Sequence, residues 1–510
     1  MSEQQASTAD QVSLRGFVPV QVYYEVDRVA KQVLALSIPS RDGWLCRVAL
    51  QFPDNLLSDA PLVCWAMEEA LMMSHQSDES LRPLVFILGD TTFGPCCPDE
   101  VSAMHLEADV LVHYGHACLS PALSLPVIYS FGITDINVSE CVERVLEEVG
   151  RQSVDHLLLL YEVRYHHAME ALQVQLRERG GLSILAGQIP KPLEKTDNGA
   201  PSDENAACFR EQETESTCRK QVTELIEEHK VFVVGGLELP ADVDLSSYTL
   251  LFVGDGDTSS RQYINTMLRF ISMPSGPSQH WTYSPTAHTL ETVLPSTLQR
   301  QLNRRFYLTQ KARDASVYGI LVGTLSQRHF RTVVSTLRNV IDDAGKSCYT
   351  FAVGKINQAK LANFGEIDCF VLVACGENSL LDNERDLHVP VITPLELDIA
   401  LGHVDWGSMA YSLDYNDFLA MERSPAKTGD DDEDSPYFSL VSGKYVDFKK
   451  TSALDLAALP GKGQLATYKS EAADYLKKRE YQGLEANIGK NEVHAAVPGQ
   501  SGIASDYGNR

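Results

Sequence analysis

The feature that most constrains the fold is a recurring alternation of short apolar runs and helix-length stretches. Three such runs follow one another in the first part of the chain, and they are Leu84–Leu88, Val110–Val112 and Pro126–Tyr129. Each is short and rich in aliphatic side chains, as expected of buried strands in a parallel sheet. The stretch Pro98–Glu107 between the first two has the length of a helix. The pattern predicts an α/β unit.

The same alternation occurs three times along the chain. The first round also contains a predicted strand at Arg47–Phe52 and predicted helices at Val22–Leu36, Pro61–Met73 and Asn137–Gly150. The second has predicted strands at His156–Tyr161, Ser183–Ala186, Val231–Val234 and Thr249–Val253, and helices at Val163–Arg177 and Thr217–Glu228. The third has a helix at Leu298–Ala315 and strands at Gly319–Val322, Ser347–Val353, Cys369–Ala374 and Val389–Thr393. We therefore expect three related α/β domains at 15–150, 151–297 and 298–410, each with a small, mainly parallel sheet flanked by helices.

Two polar regions interrupt or follow this plan. Residues 192–216 are rich in charged and turn-forming residues, which predicts a surface insertion in the second domain. Residues 411–510 form a C-terminal extension, and its segment 425–436 contains the acidic run Asp430–Asp434. Because such a segment can bury little apolar surface, we expect the extension to be partly disordered.

Composition limits the classes of function. The first residues lack the basic start and apolar run of a signal peptide, and no apolar run approaches membrane-spanning length, so we expect a soluble, cytoplasmic protein without a membrane partner. Eleven cysteines without a framework spacing favour free or metal-bound thiols over disulfides. A formal charge of -26 argues against nucleic acid as a partner, because nucleic-acid binding requires basic patches.

Cysteines follow several of the predicted strands. Ligands collect beyond the carboxyl ends of parallel strands, so Cys96 or Cys97 should lie beside Cys118, and Cys375 follows a strand of the third domain in the same way. Thiolates on rigid loops suit zinc or an iron–sulfur cluster. The alternative is that these cysteines are small apolar fillers of the core. The other candidate ligands are His105, His113 and His116, whereas Cys208 and Cys218 are expected to be ordinary exposed thiols.

Other common catalytic motifs are missing from the sequence. Gly254-Asp255-Gly256-Asp257 follows a predicted strand but does not continue as a dinucleotide-binding or P-loop motif. Neither a GxSxG elbow nor an HExxH pair occurs. The cysteines at the strand ends are therefore the main candidate site.

Several long stretches resemble the diphthamide-biosynthesis family, the 2-(3-amino-3-carboxypropyl)histidine synthases. The similar stretches are ALQFPDNLL, ILGDTTFGPCCPDEVSAMHLEADVLVHYGHACLSP, LPVIYSFG, GILVGTLSQRHF, YTFAVGKINQAKLANFGEIDCFVLVACGENSLLD, PVITPLELDIAL and YQGLE. The segments VGKIN and KLANFGEID resemble the second, eukaryotic-type subunit of this family. The resemblance covers nearly the whole chain.

The resemblance implies three related domains arranged as a triangle around a [4Fe-4S] cluster. It implies Cys97, Cys118 and Cys375 as the cluster ligands, with Cys96 as the alternative to Cys97. In this family the cluster is used with S-adenosylmethionine, whose 3-amino-3-carboxypropyl group is transferred to a histidine of translation elongation factor 2. The implied partners are a first, catalytic subunit in a heterodimer, elongation factor 2 as the protein substrate, and an electron-donor protein.

The chain departs from the family pattern at two places. The catalytic type has a middle-domain cysteine shortly after a Gly-Gln pair, but here Gly187-Gln188 is followed by Ile189-Pro190-Lys191-Pro192. Gly376 stands where proline commonly follows the third-domain cysteine, and glycine loosens that loop without removing a ligand. The missing thiol predicts a non-catalytic or electron-relay subunit. The alternatives are a subunit that itself cleaves S-adenosylmethionine and a scaffold with structural zinc.

Overall fold

The structure of the protein is a computed structural model, and most of the three predicted α/β units can be described from it. The described residues are 18–36, 44–74, 82–89, 94–122, 125–191, 231–240, 243–256, 260–354, 356–381, 387–421, 423, 437–439, 441, 443 and 445–446. The chain divides into two compact bodies, and all of the described residues belong to the larger one, residues 1–455. The insertion 192–216, the predicted helix Thr217–Glu228, the acidic segment 425–436 and most of the extension 411–510 lie outside the described residues.

The first unit contains a four-stranded parallel sheet. Its elements are α1 (Val20–Tyr23), α2 (Val26–Ala35), β1 (Trp44–Gln51), α3 (Ala60–Ser74), β2 (Arg82–Ile87), α4 (Glu100–His105), β3 (Val110–Tyr114), β4 (Val127–Ser130) and α5 (Val138–Gln152). The strand order is β2-β1-β3-β4. Both faces are apolar: Val48 and Val112 pack on one side, and Ala49 and Leu111 pack on the other. This burial explains why the strands are continuous apolar runs in the sequence.

The single helix predicted at Val22–Leu36 is wrong, because the chain breaks it into α1 and α2. Glu25 lies between them with a φ of 51°, in the left-handed region that ends a right-handed helix. The preceding Tyr24 is buried, and its hydroxyl donates a 2.8 Å hydrogen bond to Asp59. Its ring also packs edge-on against Tyr114, with 5.5 Å between ring centroids. Burying Tyr24 in this way requires the chain to turn at Glu25.

The second unit contains a five-stranded sheet and a separate hairpin. Its elements are β5 (His156–Tyr161), α6 (His166–Gly180), β6 (Ser183–Ala186), β7 (Val231–Val234), β8 (Leu237–Pro240), β9 (Thr249–Val253), α7 (Arg261–Ser272), β10 (Gln279–Ser284) and β11 (Thr289–Glu291). The sheet order is β11-β10-β9-β5-β6, and all pairs but β10–β11 are parallel. The strand predicted at Val231–Val234 is present as β7, but it pairs with β8 in an antiparallel hairpin outside this sheet.

The third unit contains a four-stranded parallel sheet with apolar clusters on both faces. Its elements are α8 (Ser296–Arg313), β12 (Val317–Val322), α9 (Phe330–Asp343), β13 (Ser347–Ala352), α10 (Gln358–Leu361), β14 (Cys369–Val373), β15 (Val391–Ile392), α11 (Pro394–Ala400) and α12 (Tyr415–Ala420). The strand order is β13-β12-β14-β15. A small antiparallel pair follows, β16 (Tyr437–Phe438) with β17 (Tyr445–Val446).

The predicted fold class, an α/β protein with several mainly parallel sheets flanked by helices, is confirmed. Helix α5 crosses the predicted boundary at residue 150, and its Cys141, Val142 and Val145, which lie before that boundary, join the apolar cluster of the second sheet. The domain boundaries remain predictions. Among the described residues, no helix is long and apolar enough to cross a membrane.

Candidate metal centre

Four cysteine thiols meet in the interior of the protein. The Sγ atoms of Cys96, Cys97, Cys118 and Cys375 all lie within 4.8 Å of one another. Cys96 Sγ is 3.9 Å from Cys375 Sγ, and Cys118 Sγ is 3.8 Å from Cys97 Sγ. The four residues are between 1% and 7% exposed. The structure therefore brings together the three predicted ligands and also the alternative one.

Strand ends position these thiols, as expected for parallel sheets. Cys118 lies beyond the end of β3, Cys375 lies just beyond β14, and Cys96 and Cys97 lie on the loop after β2. The backbone N–H of Cys118 donates a 3.0 Å hydrogen bond to the carbonyl oxygen of Cys96. This bond joins the two loops of the first sheet directly at the thiols.

A buried glutamine fixes the loop that carries Cys97. Gln51, the last residue of β1, donates a 2.9 Å hydrogen bond from Nε2 to the carbonyl oxygen of Cys97. Its Oε1 accepts a 2.8 Å bond from the backbone N–H of Asp99. The Cys97 N–H in turn donates a 3.2 Å bond to the carbonyl oxygen of Gly94, which closes a turn around Cys96. Hydrogen bonds therefore hold the loop on both sides of Cys97.

The third sheet contributes Cys375 on a compact turn. The carbonyl oxygen of Cys375 accepts hydrogen bonds of 3.0 Å from the N–H groups of Asn378 and Ser379. The Ser379 hydroxyl donates a further 2.9 Å bond to the same oxygen. Gly376, which stands where the family commonly has proline, leaves this turn closed and Cys375 in the group of thiols.

An ion pair joins the loops of the first and third sheets beside the thiols. His116 Nε2 lies 2.7 Å from Glu377 Oε2 and 2.9 Å from Glu377 Oε1. Partial desolvation opposes protonation of His116, whose side chain is 47% exposed, but the Glu377 carboxylate outweighs it, so the pKa of His116 is raised. His116 therefore pairs with a carboxylate and is not one of the grouped ligands.

The four thiols differ in pKa, and therefore in how readily each becomes a thiolate. Hydrogen bonds from the other three thiols, above all from Cys375, hold the pKa of Cys118 well below its usual range. Hydrogen bonding to Cys118 raises the pKa of Cys96 and the pKa of Cys97 well above the usual range of a thiol. It also raises the pKa of Cys375. A thiolate at Cys118 is thus favoured in the group, and a buried thiolate is a ready ligand for a metal cation.

The other candidate ligands lie elsewhere. His105 is exposed in the last turn of α4, and His113 is fully buried in β3, where burial lowers its pKa to about 4. Neither joins the four thiols in the described part of the chain. Cys141 and Cys369 are buried apolar fillers whose thiol pKa is raised by burial. Cys208 and Cys218 lie outside the described residues.

Within the described residues, the second unit contributes backbone rather than a thiol beside these cysteines. Gln188 pairs with Glu238 through two backbone hydrogen bonds of 2.8 and 3.0 Å, which holds the segment after Gly187 against the β7–β8 hairpin. The hairpin turns at Gly235 and Gly236, and a Cβ on Gly236 would lie 2.6 Å from the carbonyl oxygen of Cys118. The turn therefore packs directly on the backbone of the thiolate-bearing loop.

The donor set fits two kinds of group. Zn–S bonds of about 2.3 Å make a tetrahedron whose corners are about 3.8 Å apart, which matches the 3.9 Å between Cys96 Sγ and Cys375 Sγ and the 3.8 Å between Cys118 Sγ and Cys97 Sγ. Four thiolates are equally the donor set of a [4Fe-4S] cluster, in which each thiolate binds a different iron. A cluster is larger than one ion, so its binding requires the four sulfurs to separate.

Two residues that contact the cysteine loops are not among the predicted site residues. Gln51 is the last residue of the apolar strand β1. Asn378 lies in the turn after Cys375, and its Nδ2 is 3.6 Å from Cys96 Sγ and 3.7 Å from Cys97 Sγ. A polar residue within a buried strand, such as Gln51, is the signal that the sequence offers, because buried polar groups almost always have a hydrogen-bond partner.

Fold and site together define an α/β protein with three mainly parallel sheets and a buried four-thiol centre that fits an iron–sulfur cluster. Residues 52–412 match the diphthamide synthesis protein family, and the chain belongs to this family. It is 35% identical over 95% of its length to a protein of Gallus gallus, of which it covers 92%. It is 30% identical, again over 95% of its length, to a protein of Schizosaccharomyces pombe, of which it covers 90%. Both relatives are named 2-(3-amino-3-carboxypropyl)histidine synthase subunit 2.

A solved structure has a similar fold. The crystal structure of Dph2 from Pyrococcus horikoshii with a 4Fe-4S cluster is similar with a TM-score of 0.50 and 19% sequence identity. The similarity covers 76% of this chain and 92% of that one. It supports the α/β fold described above.

Proposed function

We propose that this chain is a subunit of the synthase for the first step of diphthamide biosynthesis. In that reaction a 3-amino-3-carboxypropyl group passes from S-adenosylmethionine to a histidine of translation elongation factor 2. Family membership and the names of the two relatives support this assignment. The first, catalytic subunit would be its partner in a heterodimer, and we expect the complex to act in the cytoplasm.

The observation that carries the proposal is the buried group of four thiols within 4.8 Å. We assign Cys97, Cys118 and Cys375 as ligands of a [4Fe-4S] cluster, with Cys96 available as a fourth. The structurally similar Dph2 from Pyrococcus horikoshii has been crystallised with such a cluster, which supports the choice of cofactor. Thiolates are the usual ligands of such clusters.

The number of thiols favours electron transfer over bond cleavage at this centre. Four thiols can occupy all four irons, which leaves no open iron for the sulfonium of S-adenosylmethionine. In addition, the β7–β8 hairpin of the second unit places backbone and no thiol near Cys118 in the described part of the chain. We therefore infer that this subunit accepts electrons from a donor protein and reduces the catalytic cluster of its partner.

A structural zinc site is the second candidate, and the Sγ separations of 3.8 and 3.9 Å favour it. Purification without oxygen distinguishes the two. An iron–sulfur protein is brown and bleaches on reduction, whereas zinc is d¹⁰ and without colour. Iron and sulfide near four of each per chain support the cluster; stoichiometric zinc without sulfide contradicts it.

The relay role is tested by reconstitution. This chain alone, the partner alone and the mixture are incubated with S-adenosylmethionine, a reductant and elongation factor 2. We expect modification by the mixture and little by this chain alone; strong modification by this chain alone contradicts the relay role. In a second arm, all four thiols are changed to serine. Activity should then persist with a strong chemical reductant and fail with the physiological electron donor.

A further inference from the structure

The side-chain amide of Asn378 contacts both of the adjacent thiols, Cys96 and Cys97. Its Nδ2 lies 3.6 Å from Cys96 Sγ and 3.7 Å from Cys97 Sγ, within the range of hydrogen bonds to sulfur. Asn378 belongs to the third unit and the two thiols belong to the first. The contact therefore places an amide of one sheet over two candidate ligands from another.

The backbone holds this amide in place. The N–H of Asn378 donates a 3.0 Å hydrogen bond to the carbonyl oxygen of Cys375, so the residue is fixed to the loop of a third candidate ligand. The orientation of the amide also follows from its neighbours. If the group were reversed, Oδ1 would face the two sulfurs, which carry negative charge when they bind a metal as thiolates, and that contact is repulsive.

Gly94 provides the space that the amide occupies. A Cβ at Gly94 would lie 2.1 Å from Asn378 Nδ2 and 2.9 Å from its Cγ. Close approach of Asn378 is thus the physical reason for glycine at this position.

Hydrogen bonds to the sulfurs of a cluster change its electronic properties. An N–H group beside a thiolate stabilises negative charge, and the reduced cluster carries one more negative charge than the oxidised one. Donors to ligand atoms therefore favour the reduced state and raise the reduction potential. A donor shared by two sulfurs acts on two ligands at once.

We propose that Asn378 is a positioning residue whose amide keeps its hydrogen bonds to Cys96 and Cys97 when the four sulfurs separate around a bound cluster, and that these bonds raise the reduction potential of the centre. This inference rests on the proposed function, in which these thiols hold a [4Fe-4S] cluster. Gly94 is part of the same arrangement, because the absence of a side chain at this position leaves space for the Asn378 amide. In a relay, a raised potential makes this centre easier to reduce by its electron donor.

The test compares Asn378→Leu and Asn378→Asp with wild type. Both substitutions have nearly the shape of asparagine and remove the N–H donors. The matched control is Asn303→Leu, because Asn303 is exposed on α8 and its Oδ1 accepts a surface hydrogen bond from Gln299. Each anaerobically purified chain is analysed for iron and sulfide, and its potential is measured by a dye-equilibrated titration followed by electron paramagnetic resonance.

We expect a more negative potential in Asn378→Leu and a still more negative one in Asn378→Asp, because a carboxylate repels the added electron. Asn303→Leu should match wild type. An iron-containing Asn378→Leu protein with the wild-type potential overturns the inference. If Asn378→Leu fails to hold iron, the Gly94→Ala variant tests the inference in its place. This variant keeps the Asn378 amide, but the added methyl group displaces the amide from the two sulfurs. Its potential should also fall, and an unchanged value overturns the inference. Absence of iron and sulfide from wild type would instead contradict the proposed function.

Discussion

Gln51 donates a 2.9 Å hydrogen bond from its buried side chain to the carbonyl oxygen of Cys97. The same side chain accepts a bond from Asp99, so a single residue at the end of β1 holds both sides of the cysteine loop. Gln51 is 1% exposed. Water therefore cannot replace it readily, and its loss leaves two backbone groups unpaired in the interior.

Substitution Gln51→Leu should consequently loosen the loop and lower the iron content of the anaerobically purified protein. An unpaired buried polar group costs about 1–3 kcal/mol of folding free energy. Urea denaturation and iron analysis measure the two effects. The control is Gln152→Leu at the exposed end of α5, which should leave both unchanged. Full iron and unchanged stability in Gln51→Leu would contradict the positioning role.

Single changes of Cys97, Cys118 and Cys375 to serine should each lower bound iron, because a hydroxyl is a harder and poorer ligand for this metal than a thiolate. Cys96 and Cys97 are neighbours in the same group, so the double change Cys96→Ser with Cys97→Ser should lose more iron than either alone. Iron and sulfide per chain are measured after anaerobic purification.

The control for these changes is Cys348→Ser, since Cys348 lies on β13 and outside the group of four. Cys208 and Cys218 should be equally dispensable. If the combined change of Cys97, Cys118 and Cys375 keeps its full iron content, the ligand assignment is wrong. Iron loss in Cys348→Ser would place the site elsewhere.

A buried ion pair should stabilise the third unit only while both partners are present. Arg305 Nε donates a 2.7 Å hydrogen bond to Glu396 Oε1, and Arg305 Nη2 bonds to Oε2; the two residues are 3% and 0% exposed. Arg305→Met leaves a buried carboxylate without its cation, which costs about 3–5 kcal/mol. Chemical denaturation measures the loss.

The double change Arg305→Met with Glu396→Leu should recover much of this stability, because no charge is then left buried. Arg151→Met is the control, since Arg151 pairs with Glu148 on the surface and its side chain is 70% exposed. Such pairs contribute less than about 1 kcal/mol. Simple additivity of the two interior changes would show that the pair does not act as a unit.

The stability of the protein should depend on the ionisation of Asp414. Burial raises the pKa of Asp414 to about 6 from an ordinary value of 3.8, and the nearby Asp417 carboxylate adds to the shift. A raised carboxyl pKa means that the folded state favours the neutral acid. The corresponding stability is fully present below about pH 4 and is lost as the pH rises through about 6.

Asp414→Asn removes this titration and keeps an acceptor for the N–H of Asn416 at the start of α12. Its stability relative to wild type should therefore rise from near pH 4 to near pH 7, by at most about 3 kcal/mol for a shift of about two pKa units. Urea denaturation across this range measures it. Asp244→Asn is a control whose pH dependence should have the opposite sign, because hydrogen bonds from Ser246 lower the pKa of Asp244. A difference that does not change with pH would contradict the prediction.

Buried strands of the parallel sheets were predictable because their side chains face apolar layers on both sides. His156–Tyr161, Ser183–Ala186 and Thr249–Val253 have the predicted bounds. Strand β10, Gln279–Ser284, is absent from the predicted strands, because His280, Thr282 and Ser284 give it a polar composition. Its place in the sheet depends on the burial of Trp281 and Tyr283, which is a property of distant partners. Composition within six residues does not contain that information.

The cysteine site was predictable from the strand ends, but the residues that contact the cysteines, such as Asn378, were not. Cys118 and Cys375 follow apolar strands, and parallel sheets bring such ends together. The sequence left Cys96 and Cys97 as alternatives, whereas the turn closed by Gly94 directs both thiols into the group. The contact of Asn378 with Cys96 joins residues separated by 282 positions. A bond of that kind depends on how whole sheets pack, which local patterns do not report.

Cys96 and Cys375 stand 279 positions apart in the chain, although their sulfurs are 3.9 Å apart in the protein. At a synthesis rate of about 5–20 residues per second, the ribosome reaches Cys375 about 15–60 s after Cys96. During that interval the nascent chain carries at most three of the four thiols. Loading of the complete centre is therefore a late event of biosynthesis, and a chain released before Cys375 cannot close it.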